Sequence, residues 1–355
     1  MSLTASAFVP VSTRLLVPRL VALWALSEAL LGGVLHALKL PVTGLVVGGA
    51  AVVLLRLLGH YARRPGIVLR GMLVVLALKA MLSPQSPPTA YVAVAFQGLI
   101  GEWLSWGTSF PRLRGMALGL LTMLESAAQR VLMLWLVFGN GLPEAFNQFV
   151  QGLLGPWAAQ QPNYALLLAG GYLALHALVG IVLGWWAGGL PAQLPHLAQL
   201  YPWLWQPDEP QTDEDTPAQA DTPPPARRWR MSRVLLIIWL FIAALWLAAA
   251  LGWAPVVGLN QSKLIGLLLR SAVIYGGWAL LVAPLLLRVL RRWLSRPRGR
   301  WASDLAATLR LLPTTRRLVA QCWRITAGHR GWRRWRWFGR ALAVNVFVQP
   351  VRQSA

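Results

Sequence analysis

The chain has 355 residues, of which 56% are hydrophobic and 12% are charged, and its mean hydropathy is +0.53. Soluble domains carry about twice this share of charged residues, so the composition excludes an ordinary soluble globule and indicates a membrane protein. The formal net charge of +22 would suit nucleic acid. No nucleic-acid-binding module accompanies that charge, so no nucleic-acid partner is expected.

Arginine occupies every second gap between the long apolar runs. The three lysines, Lys39, Lys79 and Lys263, lie in the other gaps. Basic residues beside membrane spans stay in the cytoplasm. The alternation therefore predicts eight crossings of a bacterial inner membrane, with both termini cytoplasmic. The arginine-bearing gaps are the N-terminus and residues 56–70, 112–114, 227–233 and 288–355.

The predicted fold is all-α, a polytopic bundle of about eight transmembrane helices. About 20 apolar residues cross a bilayer, and shorter runs do so when neighbouring helices support them. The predicted organisation is a six-span unit (1–200), a linker (201–230), a two-span unit (231–295) and a cytoplasmic tail (296–355). The predicted spans are residues 19–37, 42–58, 67–82, 88–106, 115–138, 164–186, 234–252 and 264–289.

The segment between the fifth and sixth spans has apolar residues at three- and four-residue steps. That spacing predicts a short amphipathic helix. Two interpretations stay open, a helix on the outer membrane surface and a lid over an external cavity. The residues concerned are Phe146, Phe149, Val150, Leu153 and Trp157.

The linker and the tail have opposite charge. Residues 207–226 hold six of the eleven acidic residues and six prolines, a composition that predicts disorder. From Arg288 onward, sixteen arginines face one acid, Asp304. Interleaved tryptophans place the tail at the cytoplasmic headgroup layer, so anionic lipids are expected partners. A helix is predicted to begin near Ser303 and to break at Pro313.

Three carboxylates lie inside predicted spans, Glu28, Glu102 and Glu125. A charge in the membrane is costly, so each requires a partner or a water-filled cavity. We interpret Glu102, near the cytoplasmic end of its span, as structural. For Glu125 and the nearby Arg130, a structural network and a functional site stay equally open.

Polar residues converge near the external ends of the first, third and fourth spans. A proline-rich turn at residues 83–88 precedes two of them, and polar groups at the mouth of a span orient small ligands. We predict an outward-facing pocket. Its candidate ligand-binding residues are Glu28, His36, Lys79, Tyr91 and Gln97.

Several activities lack their sequence motifs. There is no phosphate-binding loop for ATP, no His-Glu-x-x-His sequence and no paired cysteine motif. The single cysteine, Cys322, excludes an intramolecular disulfide. We therefore expect no metal, no cofactor and no catalytic residue.

The first six spans, about residues 14–190, resemble a substrate-binding (S) component of an energy-coupling factor transporter. The resemblance rests on six spans, on the small-residue pair Ala25 and Ala29, and on the short connection at residues 37–42. It implies that Ala25 and Ala29 contact a coupling subunit and that a solute binds among the external halves of the helices. Residues 234–350 resemble the end of a T component, whose arginine motifs grip ATPase subunits; Arg330 and Gly331 are the matching pair.

The sequence therefore predicts a solute-binding component of an ATP-driven uptake transporter, with coupling and ATPase subunits as partners. A scaffold whose tail recruits a cytoplasmic partner is the first alternative. A membrane enzyme acting on a lipid-linked phosphate is the second.

Overall fold

A computed structural model describes residues 8–32, 43–62, 64–83, 86, 88–107, 109–155, 163–205 and 300–350, with isolated positions between 266 and 288. The candidate ligand residue His36, residues 206–230 of the linker and the seventh predicted span lie outside the described residues. So does most of the eighth.

The described part of the chain is helical except for one pair of short strands, which confirms the predicted helical class. The second to sixth predicted spans begin within four residues of the observed helices. The helices are α1 (Thr13–Leu26), α2 (Thr43–Ala62), α3 (Ile67–Leu82), α4 (Pro88–Ser105), α5 (Pro111–Phe138), α6 (Gly141–Leu154), α7 (Tyr164–Leu200), α8 (Arg300–Ile325) and α9 (Gly331–Phe347); the strands are β1 (Phe8–Pro10) and β2 (Val348–Pro350).

Three of the described helices are long and apolar enough to cross a membrane. They are α2, α5 and the segment Tyr164–Leu194 of α7. The apolar stretch of α2 is 56% buried inside the protein, whereas those of α5 and α7 are 17% and 11% buried. Helix α2 is therefore a central helix, and the other two present apolar faces of the kind that lipid covers.

The chain divides into two compact units. The larger comprises Met1–Trp135, Asn140–Pro207 and Leu286–Ala355; the smaller comprises Leu136–Gly139 and Asp208–Leu285. Within the larger unit, α1 to α4 enclose the main core, which includes Leu20, Trp24, Leu55, Leu78 and Val94. Of the smaller unit the structure describes the end of α5 and isolated helical positions.

The basic tail belongs to the larger unit. Helix α7 continues to Leu200, well beyond the predicted end at residue 186, and a second core forms at this extension. Cys322, Ala341 and Val344 of the tail pack there against Leu204. The side-chain amide of Asn345 donates to the Leu204 carbonyl at 2.8 Å, so polar as well as apolar contacts attach the tail.

The predicted helix break at Pro313 is wrong, because α8 runs unbroken from Arg300 to Ile325. A proline removes one backbone hydrogen bond from a helix. Leu305 and Leu312 before it, and Leu318 after it, all pack on the main core. Packing on both sides of the proline outweighs the lost bond.

The two strands join distant parts of the sequence. β1 pairs antiparallel with β2, with Phe8 opposite Pro350. The backbone N–H of Val11 extends the pairing by donating to the Phe347 carbonyl at 2.9 Å. The start of α1 and the end of α9 therefore lie on the same side of the molecule.

Candidate functional site

The structure brings Glu28 and Lys79 together in a buried ion pair. The Lys79 Nζ lies 2.6 Å from Glu28 Oε2, and the two side chains are only 1% and 3% exposed. Lys79 Nζ also lies 3.4 Å from the Glu28 carbonyl oxygen. The second carboxylate oxygen, Glu28 Oε1, has no hydrogen-bond partner in the described structure. The Trp24 side chain also interacts favourably with this carboxylate.

Glu28 lies in a π-helical turn, Ser27–Leu31, that follows α1 directly. Such turns are uncommon and occur frequently at functional sites, because the extra residue redirects a side chain. The hydroxyl of Ser27 donates to the Trp24 carbonyl at 2.8 Å. The π-helical turn therefore includes Glu28, the charged residue of the first predicted span.

Tyr91 contacts the turn before α4 rather than the ion pair. Its hydroxyl donates to the Ser83 carbonyl at 3.4 Å, and Ser83 Oγ lies 2.9 Å from Ser86 Oγ. Both serines are buried. The turn and the first part of α4 are therefore linked by side-chain hydrogen bonds, and these bonds do not involve Glu28 or Lys79.

Gln97 is buried at a different level of the bundle. The next residue, Gly98, faces the Met72 side chain, which places Gln97 about two helical turns from Lys79 along α3. Gln97 Oε1 has no hydrogen-bond partner among the described residues. Of the four predicted ligand residues that the structure describes, it therefore pairs only Glu28 with Lys79.

Glu102 binds the N-terminus of α3. Its carboxylate accepts hydrogen bonds from the backbone N–H groups of Gly66, Val68 and Leu69 at 2.6, 3.1 and 3.3 Å, and from Trp106 Nε1 at 3.0 Å. Gly66 has a φ of 82°, in the left-handed region where glycine is favoured. The structural interpretation of Glu102 is confirmed, and its backbone partners were not foreseen.

Glu125 forms a local contact on its own helix. Its Oε1 accepts a hydrogen bond from the Gln129 side-chain amide one turn later, and its Oε2 has no partner among the described residues. Glu125 and Gln129 therefore lie on the same face of α5.

The two predicted partner-contact pairs have opposite exposure. Ala25 and Ala29 are 0% and 4% exposed, because they pack inside the chain itself. In this conformation their side chains have almost no accessible surface. Arg330 is exposed just before α9, and Gly331 begins that helix with a φ of 54°.

Two tail arginines, Arg334 and Arg340, stack on aromatic rings of the same chain. The Arg334 guanidinium carbon lies 3.9 Å from the centre of the Trp323 ring, and that of Arg340 lies 4.9 Å from Tyr201 and 4.8 Å from Trp337. A guanidinium over an aromatic face is a favourable cation–π arrangement. Part of the basic charge thus fastens α9 to the end of α7.

Comparison with known proteins identifies no relative of this chain. No protein-family model matches the chain, and no curated protein or solved structure is significantly similar to it.

Proposed function

We propose that this chain is the membrane-embedded, solute-binding component of an uptake complex, and that separate subunits supply ATP hydrolysis. The complete protein would cross the membrane eight times with both termini in the cytoplasm. The solute would bind at the external end of α1 and α3, where Glu28 and Lys79 meet.

The observation that carries the proposal is the buried Glu28–Lys79 pair. Ionisable groups within membrane helices are costly to bury. Where they occur, they commonly mark ligand or ion pathways. Here a π-helical turn presents the carboxylate to Lys79, and both side chains are almost fully buried. A small polar solute with its own charged groups would exchange contacts with such a pair.

A scaffold is the second candidate, and the packing of the tail favours it. Helices α8 and α9 are folded against the core instead of extending from it, and Ala25 and Ala29 are enclosed. Under this alternative the Glu28–Lys79 pair only fixes the register of α1 against α3.

Copurification from native membranes tests the proposal. The wild-type chain, extracted in mild detergent, is expected to bring ATPase subunits and a small molecule detectable by mass spectrometry. A Glu28→Met/Lys79→Met double variant should retain the ATPase subunits and lose the small molecule, because it removes both charges while keeping apolar volume.

A charge-swapped variant, Glu28→Lys/Lys79→Glu, is the matched control. It preserves an ion pair, so a purely structural pair predicts normal stability and unchanged copurification. Loss of the small molecule from a folded swap variant supports a binding role. Absence of both ATPase subunits and small molecule from the wild-type sample contradicts the uptake proposal and leaves the scaffold.

A further inference from the structure

A cavity of about 680 Å³ opens at the end of the bundle opposite to Glu28 and Lys79. The first turns of α1, the end of α2, the start of α3 and the first turns of α8 enclose it. Its volume is within the range of small-molecule binding sites. All of the lining residues belong to the larger unit.

The rim of this cavity carries an excess of positive charge. Arg14, Arg64 and Arg70 line it, against a single carboxylate, Asp304. Arg70 Nη1 lies 3.5 Å from Asp304 Oδ2, and both side chains are more than a third exposed. Arg14 and Arg64 have no ion-pair partner in the described structure. Two guanidinium groups therefore remain to receive an anion.

The first turn of α1 adds to this positive field. It begins at Thr13 on the rim, and its N-cap residue, Ser12, makes no side-chain hydrogen bond to the turn. The N-terminal end of a helix attracts anions. The N-terminus of α3 differs, because the Glu102 carboxylate already occupies it.

The inner part of the cavity is apolar. Val17 and Val21 of α1 face Ile67 and Val74 of α3 there. Arginines at one end and valines at the other describe a site for an amphiphile, with an anionic group at the rim and hydrocarbon inside. Guanidinium groups bind phosphate oxygens especially well, because their N–H groups match those oxygens in pairs.

We propose that this cavity binds a phosphate-bearing amphiphile, a membrane lipid whose phosphate contacts Arg14 and Arg64 and whose first acyl carbons lie on Val17 and Val21. The site is separate from the solute position at Glu28 and from the tryptophan-rich surface of the tail. Asp304 and Arg70 close one side of it, so a bound lipid would bridge α1 and α8.

Native mass spectrometry of the full chain in detergent tests the site, with phosphatidic acid as the probe and phosphatidylcholine as the neutral-headgroup reference. Wild type is expected to retain one phosphatidic acid in preference to phosphatidylcholine. An Arg14→Gln/Arg64→Gln variant should bind phosphatidic acid about 30-fold more weakly, since each arginine near an anionic group contributes about fivefold. Both side chains are exposed, so folding should persist, and circular dichroism checks it.

An Arg333→Gln/Arg336→Gln variant is the matched control, because it removes the same charge from the tail and leaves the cavity intact. It should retain the single phosphatidic acid of the cavity as wild type does, whatever further anionic lipid the tail arginines hold. A Val17→Trp variant keeps every arginine and fills the apolar part of the cavity. It should weaken the binding of phosphatidic acid without weakening the binding of glycerol phosphate. If wild type and the Arg14→Gln/Arg64→Gln variant bind phosphatidic acid equally well, the proposed site is wrong. If glycerol phosphate binds as tightly as phosphatidic acid, the assignment of a lipid is wrong and the cavity is a site for a soluble phosphate.

Discussion

At the scale of single residues, Glu102 shows how one buried carboxylate fixes two helices. It belongs to α4, yet it accepts hydrogen bonds from the first backbone N–H groups of α3. These groups have no partner within their own helix, and the negative charge suits the helix N-terminus. Glu102 therefore sets the position of α3 relative to α4, and through α3 the position of Lys79.

We expect a Glu102→Gln substitution to lower the free energy of unfolding by about 1–3 kcal/mol, because hydrogen bonds to a charged acceptor are replaced by weaker ones. Denaturant titration in detergent micelles measures the change. Glu144→Gln is the control, since Glu144 is an exposed carboxylate in the first turn of α6. Equal effects of the two substitutions would contradict the capping role.

At the scale of elements, glycines bring α5 and α7 into backbone contact. A Cβ atom added at Gly115 or Gly119 would meet the carbonyl oxygens of Gly184 and Gly180. Small residues four apart allow such an approach between membrane helices. The close approach of α5 and α7 therefore runs through the pairs Gly115/Gly119 and Gly180/Gly184.

A Gly119→Val substitution should therefore destabilise the protein by about 1–3 kcal/mol more than Gly171→Val does. Both substitutions make the same change within a helix, and a Cβ at Gly171 meets nothing within 4 Å. Thermal unfolding followed by circular dichroism compares them. Similar midpoints for the two variants would show that the close approach of α5 and α7 contributes nothing measurable.

The sequence predicted local features well and long-range ones poorly. Runs of apolar residues predicted the bounds of α2 to α5 to within a few residues, because a membrane helix is formed by one continuous apolar stretch of sequence. The extension of α7, the continuity of α8 through Pro313 and the backbone partners of Glu102 all depend on residues far away in the sequence. The pairing of Glu28 with Lys79 was anticipated only as a shared pocket, since composition does not specify which polar groups satisfy one another.

At the scale of the whole molecule, the arginine pattern makes a prediction about sidedness. In a Cys322→Ser background, a membrane-impermeant thiol reagent added to sealed cells should label a cysteine at Gln151, in α6. It should label one at Ala327, between α8 and α9, only after permeabilisation. Labelling of Ala327 in sealed cells would refute a cytoplasmic tail.

In the wild-type chain, the native thiol reports separately on the packing of the tail. Cys322 is buried, and burial raises the pKa of its thiol to about 12. The thiolate is the reactive form, so Cys322 in the folded protein should react slowly near neutral pH. Rapid labelling of wild type would therefore report unfolding of the second core.

The pairing of β1 with β2 constrains the order in which the molecule assembles. Residues 8–10 have no partner strand until residues 348–350 have been synthesised, whereas α1 to α7 can pack before then. Two strands of three residues are too short to hold together alone, so they close only after α1 and α9 have docked. Pairing of β1 with β2 is thus a late step of folding. It occurs in a chain whose tail has already packed.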